Sequence, residues 1–389
     1  MADGTSVADG VATIVEAVRT GGDAALASYV ERFDATEGAS VLVSPAELGA
    51  ALTALDPDVR RGLEVAIANV RAVAEAGVGE PMDVTLPQGH TVTLRELPVR
   101  RAGIYAPGGR NPYPSTVVMG AITARAAGVD EVVVCAPGSH PVILAACALC
   151  GVDAVYRMGG AHAVAALAHG TESIARVDVI AGPGGLWVQE AKRLVSRVVG
   201  IDGFFGPSDV LVLADGAADS ALVAADLLAQ AEHGPGTLSV ICSDDAALLD
   251  AVEEELRAAP DTGAVAVTVL VDGPAAALAF SDGFAPEHLE LVGVGMEALA
   301  PEVRAAGCLF VGREGATAFG DYVAGSNHSL PTGGAARYAS TLNVRHFRRR
   351  MSEVRIGGAA GALARAGAPI ARAEGFDVHA ESMEMRETA

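Results

Sequence analysis

The chain has 389 residues, with 27 basic and 48 acidic side chains, a formal net charge of −21, and a single lysine, Lys192. So acidic a surface displaces no counterions from a nucleic acid and repels anionic membranes. A Walker-type loop needs a lysine after its glycines, whereas Lys192 follows Glu190 and Ala191, and Schiff-base chemistry would rest on that residue alone. In chain order, apolar residues first recur at helical spacing over residues 11–29 and Pro57–Ala76. Residues 83–97 then alternate around Pro87-Gln88-Gly89, which predicts two strands and a turn.

From Arg101 short strands alternate with helices. A strand at 103–106 leads into a helix at 115–127. A strand at 131–136 and the helix Pro141–Cys150 follow, then alternating segments at 154–158, 161–169, 177–181 and 186–199. A second series starts at 210–213, with a helix at 218–232. It continues through 238–242, 246–257, 264–271, a helical stretch and Cys308–Val311. This alternation predicts parallel sheets covered on both faces. The expected fold is α/β, with two doubly wound Rossmann-like units facing each other across a cleft. Residues 1–104 with 210–341 are expected to form one discontinuous domain and 105–209 the second. Residues 342–389 are expected to form a mainly helical tail.

Apolar residues make up 51% of the chain, yet stretches such as 141–152 fall short of the ~20 residues a membrane span needs. Met1-Ala2-Asp3-Gly4 has no signal-peptide character, and five cysteines suit a reducing cytoplasm. Cys147 and Cys150 form a C-x-x-C inside an apolar helix and read as core residues rather than a redox pair.

No dinucleotide fingerprint follows a predicted strand; the nearest match, residues 293–298, is expected between helical stretches and reads as a turn. Ala106-Pro107-Gly108-Gly109 and Gly182-Pro183-Gly184-Gly185 do follow strands. They either present backbone N–H groups to a ligand or simply turn the chain. Gln230 and His233, three apart at a helix end, either offer two donors to one metal or cap carbonyls. Pro286-Glu287-His288 puts an acid beside an imidazole, either in a site or as a surface pair. Asp321 and His328 lie on a glycine-bracketed loop, and Glu374 and His379 in the tail. Oxygen and nitrogen donors without thiolate suit a borderline cation such as Zn²⁺. The basic run 345–350 with Arg355 reads as a solvated or interface-facing helix.

These blocks, in order, resemble the histidinol dehydrogenase family over residues 11–379. They are Gly103-Ile104-Tyr105-Ala106-Pro107-Gly108-Gly109, Gly206-Pro207-Ser208, residues 227–233, 286–290, 320–322, 327–328 and 330–334, and Glu374-Gly375-Phe376-Asp377 with His379. The resemblance implies a cytoplasmic enzyme of histidine biosynthesis that oxidises L-histidinol through L-histidinal to L-histidine, using zinc and NAD. It implies Gln230, His233, Asp321 and His379 as zinc ligands, His288 as general base and Glu287 as activator of water. Ser208, His328 and Glu374 would hold the substrate together with the ligands and His288. Tyr105, His162 and Gly185 stand at the cofactor contacts. It further implies a homodimer in which the tail carrying Glu374 and His379 completes the partner's site.

Three positions depart from the family pattern. His162 replaces a glutamine, Gly185 an asparagine, and Phe205 a small residue before Gly206. Loss of the carboxamide at 185 removes a donor and an acceptor, worth ~0.5–1.5 kcal/mol of hydrogen bonding. Two alternatives therefore stay open: a paralogue oxidising another polar alcohol, and a zinc-binding homologue that no longer turns over.

Overall fold

Helix starts in the N-terminal region are written in polar caps and prolines. A computed structural model describes residues 4–34, 40–108, 111–204 and 206–387. Helix α1 spans Gly4–Phe33 and bends at Gly22, where φ is 53°. Helix α2 (Pro45–Ala54) begins in a capping box, with Ser44 Oγ accepting from Glu47 N while the Glu47 carboxylate accepts from Ser44 N. Periodicity does not predict α2, because its ten residues bury no side chain and so carry no apolar stripe. Helix α3 (Pro57–Ala76) starts on Asp56, whose carboxylate accepts from Asp58 N and Val59 N.

Packing divides the chain into two units. The larger runs to Gly77 and resumes over Val99–Phe347; the smaller joins Val78–Pro98 to the segment from Arg348 onward.

The smaller unit holds β1 (Met82–Thr85) and β2 (Thr91–Pro98), the expected hairpin.

In the larger unit, the first sheet collects β3 (Arg101–Tyr105), β4 (Glu131–Cys135), β5 (Ala154–Tyr156), β6 (Val179–Ala181) and β7 (Gly200–Ile201). They are parallel, in the order β5-β4-β3-β6-β7. The intervening helices are α4 (Pro114–Ala126), α5 (Pro141–Cys150), α6 (Gly160–His169) and α7 (Leu186–Val195). The second sheet repeats the winding with β8 (Asp209–Ala214), β9 (Leu238–Ser243), β10 (Val265–Leu270), β11 (His288–Val292) and β12 (Cys308–Val311), ordered β10-β9-β8-β11-β12. Its helices are α8 (Ser220–Ala231), α9 (Ala246–Ala258), α10 (Pro274–Phe284), the short α11 (Val294–Glu297) and α12 (Thr317–Tyr322). Strands β3, β8 and β11 are buried at every residue; in β8 this accompanies an unbroken apolar run over Val210–Ala214, whereas β11 buries His288 and Glu290 as well. Cys147 and Cys150 lie buried in α5, as expected, and burial pushes the Cys150 thiol up to about 12.

Two sequence expectations are corrected here. His288 opens a strand, not a helix: β11 pairs in parallel with both β8 and β12, so its polar residues enter a sheet interior. Consequently 293–298 does follow a strand. It is a short helix rather than the expected turn: α11 begins right after Gly293 (φ 97°), where the Asp215 carboxylate accepts from Gly295 N at 2.8 Å and occupies the space beside Gly293.

The basic run divides: Val344–Phe347 form a 3-10 turn in the larger unit, and from Arg348 it is a strand in the smaller one. β13 (Arg348–Arg355) completes the antiparallel sheet β1-β2-β13. Register places Arg350 opposite Glu96, and the two pair at 2.7 Å, while Arg95 reaches Glu353 at 3.0 Å. Charge complementarity across strands, invisible in the local sequence, replaces the expected helix. The tail becomes helical in α13 (Ala360–Ala373) and α14 (Asp377–Glu384), joined over buried Ala368, Ala371 and Ala380. Among the described residues, no helix is long and apolar enough to cross a membrane.

A methyl group at Gly293 would lie 2.0 Å from Asp215 Oδ1, at a backbone angle unfavourable to L side chains. Gly293→Ala is expected to lower stability by ~1–3 kcal/mol in urea unfolding while leaving dinucleotide affinity unchanged.

Candidate active site

Within the larger unit a cleft of about 510 Å³ opens between the two sheets. One wall is the backbone of the loops that follow β3 and β6, including Pro107 and Pro183-Gly184-Gly185. The opposite wall comes from Ser208, Glu287 and His288, where β8 and β11 begin, with His233, Asp321 and His328. Gln230 lies just behind this wall, 2% exposed.

Strands β8 and β11 are tied together at their starts. Glu287 N donates to Asp209 Oδ1 at 2.7 Å, and Asp209 N donates to Glu287 Oε2 at 3.0 Å. The Ser208 hydroxyl donates to Glu287 Oε2 at 2.5 Å, and Gln230 Nε2 donates to Ser208 Oγ at 2.5 Å. Burial raises the Glu287 carboxyl to about 7, although His288 and the hydrogen bonds from Ser208 and Asp209 pull it down. Glu287 therefore titrates near neutrality, where an acid–base group is useful.

His288 is 3% exposed, and its Nδ1 lies 3.1 Å from the Asp209 carbonyl oxygen. That contact places the ring hydrogen on Nδ1. Nε2 is buried without a hydrogen-bond partner, 3.5 Å from Asp321 Oδ1. Burial lowers the basicity of His288, but Asp321 and Glu287 outweigh it and hold the ring at about 9. Burial likewise pushes Asp321 up, and His288, His328 and His233 more than reverse it, so its carboxyl stands below the usual value.

His233 Nδ1 lies 3.0 Å from the Gln230 carbonyl oxygen, so the helix-end contact expected of it is present. The same contact orients the ring and leaves Nε2 for a ligand. His328 is held by Asp321 O at 2.9 Å from Nδ1 and by Thr116 Oγ1 at 3.3 Å from Nε2; burial lowers its basicity. Thus Ser208, Gln230, His233, Glu287, His288, Asp321 and His328 gather around one cleft.

Of the three expected cofactor positions, Gly185 lies on the cleft wall. Tyr105 and His162 are packed in the core beside the first sheet. The Tyr105 hydroxyl accepts from Gly160 N at 3.0 Å. His162 Nε2 meets Asp34 Oδ2 at 2.7 Å, and its ring stacks near Tyr29 and Phe33. Gly109 and Phe205 lie outside the described residues.

The histidinol dehydrogenase family model matches residues 1–387. A histidinol dehydrogenase of Parasynechococcus marenigrum (strain WH8102) is 43% identical, covering 97% of this chain and 90% of the relative. One from Pseudomonas aeruginosa is 42% identical, covering 98% and 91%. The crystal structure of histidinol dehydrogenase from Elizabethkingia anophelis superposes with a TM-score of 0.93 at 29% identity, covering 97% of this chain and 91% of that one. The chain belongs to the histidinol dehydrogenase family. Membership makes it an oxidoreductase.

Two further positions implied by the histidinol dehydrogenase resemblance, Glu374 and His379, belong to the smaller unit. Glu374 caps α13, and His379 lies in the first turn of α14 beside Phe376, with ring centroids 5.2 Å apart. Both are exposed there.

Sequence reasoning missed Asp209, whose role comes from pairing with Glu287, 78 positions away. It also missed Glu290 on β11. Glu290 is 1% exposed, its Oε1 accepts from Thr317 N at 2.9 Å at the start of α12, and the Asp226 carboxyl acts on it as a neighbouring charge. Burial, reinforced by Asp226, holds Glu290 well above the usual carboxyl range. Such a raised group contributes stability that is complete below its unfolded value near 4.5 and is lost as pH rises through the folded one. Glu290→Gln should therefore stabilise the protein by about 1–3 kcal/mol at pH 8.5 relative to wild type, and much less at pH 5. Thermal unfolding at the two pH values checks this; equal effects at both would contradict it.

Proposed function

We propose that the cleft oxidises L-histidinol through L-histidinal to L-histidine in two NAD-dependent steps, with zinc at Gln230, His233 and Asp321. The observation that carries this reading is the buried Glu287–His288 pair set among those three donors in one cleft.

The donors suit the metal. Gln230 commits its amide nitrogen to Ser208 and leaves its oxygen, while His233 commits Nδ1 and leaves Nε2. Helices α8 and α12 also bring carboxyl ends near these residues, and a helix carboxyl end favours a cation. Among the described residues of one chain, no group of three or more His, Cys, Asp or Glu stands at metal-binding spacing. His379 from the tail of a second copy is the proposed fourth ligand, with Glu374 beside it on the substrate, which makes the working form a homodimer.

Zinc held by these donors would supply orientation of the substrate and stabilisation of negative charge on its oxygen. Bound NAD supplies the hydride acceptor at each step. Ser208 and His328 position the substrate. His288 Nε2 takes the hydroxyl proton of the alcohol as hydride leaves its carbon, and Asp321 stabilises the imidazolium that results. In the second step Glu287 removes a proton from water as its oxygen adds to the aldehyde carbon. The hydrate then loses hydride and a proton to give the carboxylate.

A second reading, a paralogue acting on another polar alcohol or with weaker NAD binding, is favoured by two features. Gly185 offers the cleft no carboxamide, and His162 is engaged with Asp34.

Purified protein with zinc, L-histidinol and NAD should yield two NADH per histidinol, followed by absorbance. No NADH at any NAD concentration, with zinc still bound, would sink the reading. Glu287→Gln should retain alcohol oxidation and slow aldehyde oxidation by ~10²–10⁴-fold. A base must be unprotonated to work. Alcohol oxidation should therefore climb with pH as His288 deprotonates, and aldehyde oxidation as Glu287 ionises. Stopped-flow rates on each substrate across pH 6–10 test both rises, and a flat profile for either substrate would contradict its assigned base.

A further inference from the structure

The single lysine is fully buried, in a place the chemistry above does not use. Lys192 lies on α7 with 0% of its side chain exposed, and so does the side chain of its partner Asp202, just after β7. Lys192 Nζ donates to Asp202 Oδ1 and to the carbonyl oxygen of Gly182 at 3.0 Å. Asp202 Oδ2 accepts from Gly182 N at 2.6 Å. Both backbone polar groups of Gly182 thus end on one ion pair, one residue beyond the last residue of β6.

Gly182 is pinned from the other side too. Its φ is 128°, and a Cβ there would lie 2.1 Å from the Tyr105 carbonyl oxygen at the end of β3. The loop that follows, Pro183-Gly184-Gly185, is the cleft wall at the switch point between β3 and β6, where doubly wound sheets receive ligands. Glycines have no side chains to hold them in place, so the wall's position depends on backbone anchors. Gln189 Nε2 supplies another, donating to Gly184 O at 3.0 Å. A buried ion pair is a poor way to gain stability, since apolar residues of similar volume generally do as well or better. It is a good way to fix a backbone's geometry.

We propose that Lys192 and Asp202 are positioning residues that hold Gly182-Pro183-Gly184-Gly185 as a preformed wall for the dinucleotide and so set its affinity. This rests on the reading that NAD lies against that wall. The pair touches no reacting atom. Its loss is felt in cofactor binding and not in the hydride or proton transfers made by Glu287 and His288. Preorganisation is the mechanism: a slack loop must be ordered each time the ligand binds.

The test is the double variant Lys192→Met with Asp202→Asn, which removes both charges together and keeps an acceptor near Gly182 N. In the zinc-loaded full-length protein, amide exchange over 182–188 should accelerate at least tenfold. The dissociation constant for NADH, read by fluorescence, should rise about tenfold. Values of kcat at saturating NAD and KM for histidinol should stay within threefold. A merely structural pair would lower the melting temperature without splitting KM for NAD from kcat. If the double variant does not fold, Asp202→Asn alone breaks one link at constant volume and should raise the NADH dissociation constant at least threefold. Unchanged exchange, or unchanged NADH affinity in a folded variant, overturns the proposal while leaving the function intact. A wild-type protein that binds no dinucleotide overturns the underlying reading and the proposal with it.

Discussion

The reciprocal hydrogen bonds between Glu287 and Asp209 hold the cleft in register. Each residue donates its backbone N–H to the other's carboxylate, at the place where two parallel strands begin. Parallel ladders leave N–H groups at the start of a strand without partners, and here side chains supply them. One consequence is geometric: the bonds fix the first residues of β8 and β11, and so the directions of Ser208 and His288. The other is electrostatic. A carboxylate used as a structural acceptor is buried, and burial raises it toward neutrality. The same bonds build the site and limit how far burial raises the Glu287 carboxyl.

The two sheets share one winding but present opposite edges to the cleft. The first offers the carboxyl ends of β3 and β6, bare glycine-rich backbone suited to a ligand that needs close approach. The second offers the amino ends of β8 and β11, crowded with titratable side chains, together with the carboxyl ends of α8 and α12. Backbone on one wall and acid–base groups on the other suit a reaction in which hydride leaves on one side and protons on the other.

Much of the fold was legible because its periods are local. Helix α3 and helix α5 follow from apolar spacing and prolines, and the alternation of strand and helix predicts the doubly wound winding. Strand β11 was hidden because Glu287, His288 and Glu290 make its start look polar. They are buried by partners at 208, 209, 226 and 321, which no window along the chain contains. Strand β13 was hidden for the same reason, since the carboxylate facing Arg350 is at position 96. In the site, residue types and order were readable, and resemblance assigned them roles. The neutral-range carboxyl of Glu287 and the engagement of His162 by Asp34 depend on distances between segments, which composition does not encode.

Burying the only lysine also decides how the folded surface meets chemistry from outside. All other basic side chains apart from histidine are guanidinium groups, and the lone side-chain ammonium is sealed beneath a glycine loop. Acylating agents, amine-directed cross-linkers and lysine-tagging enzymes find no side-chain amine on the native molecule. They find one as soon as the first sheet opens around α7. Lysine acylation therefore distinguishes folded from unfolded copies of this chain, with Lys192 as a built-in reporter.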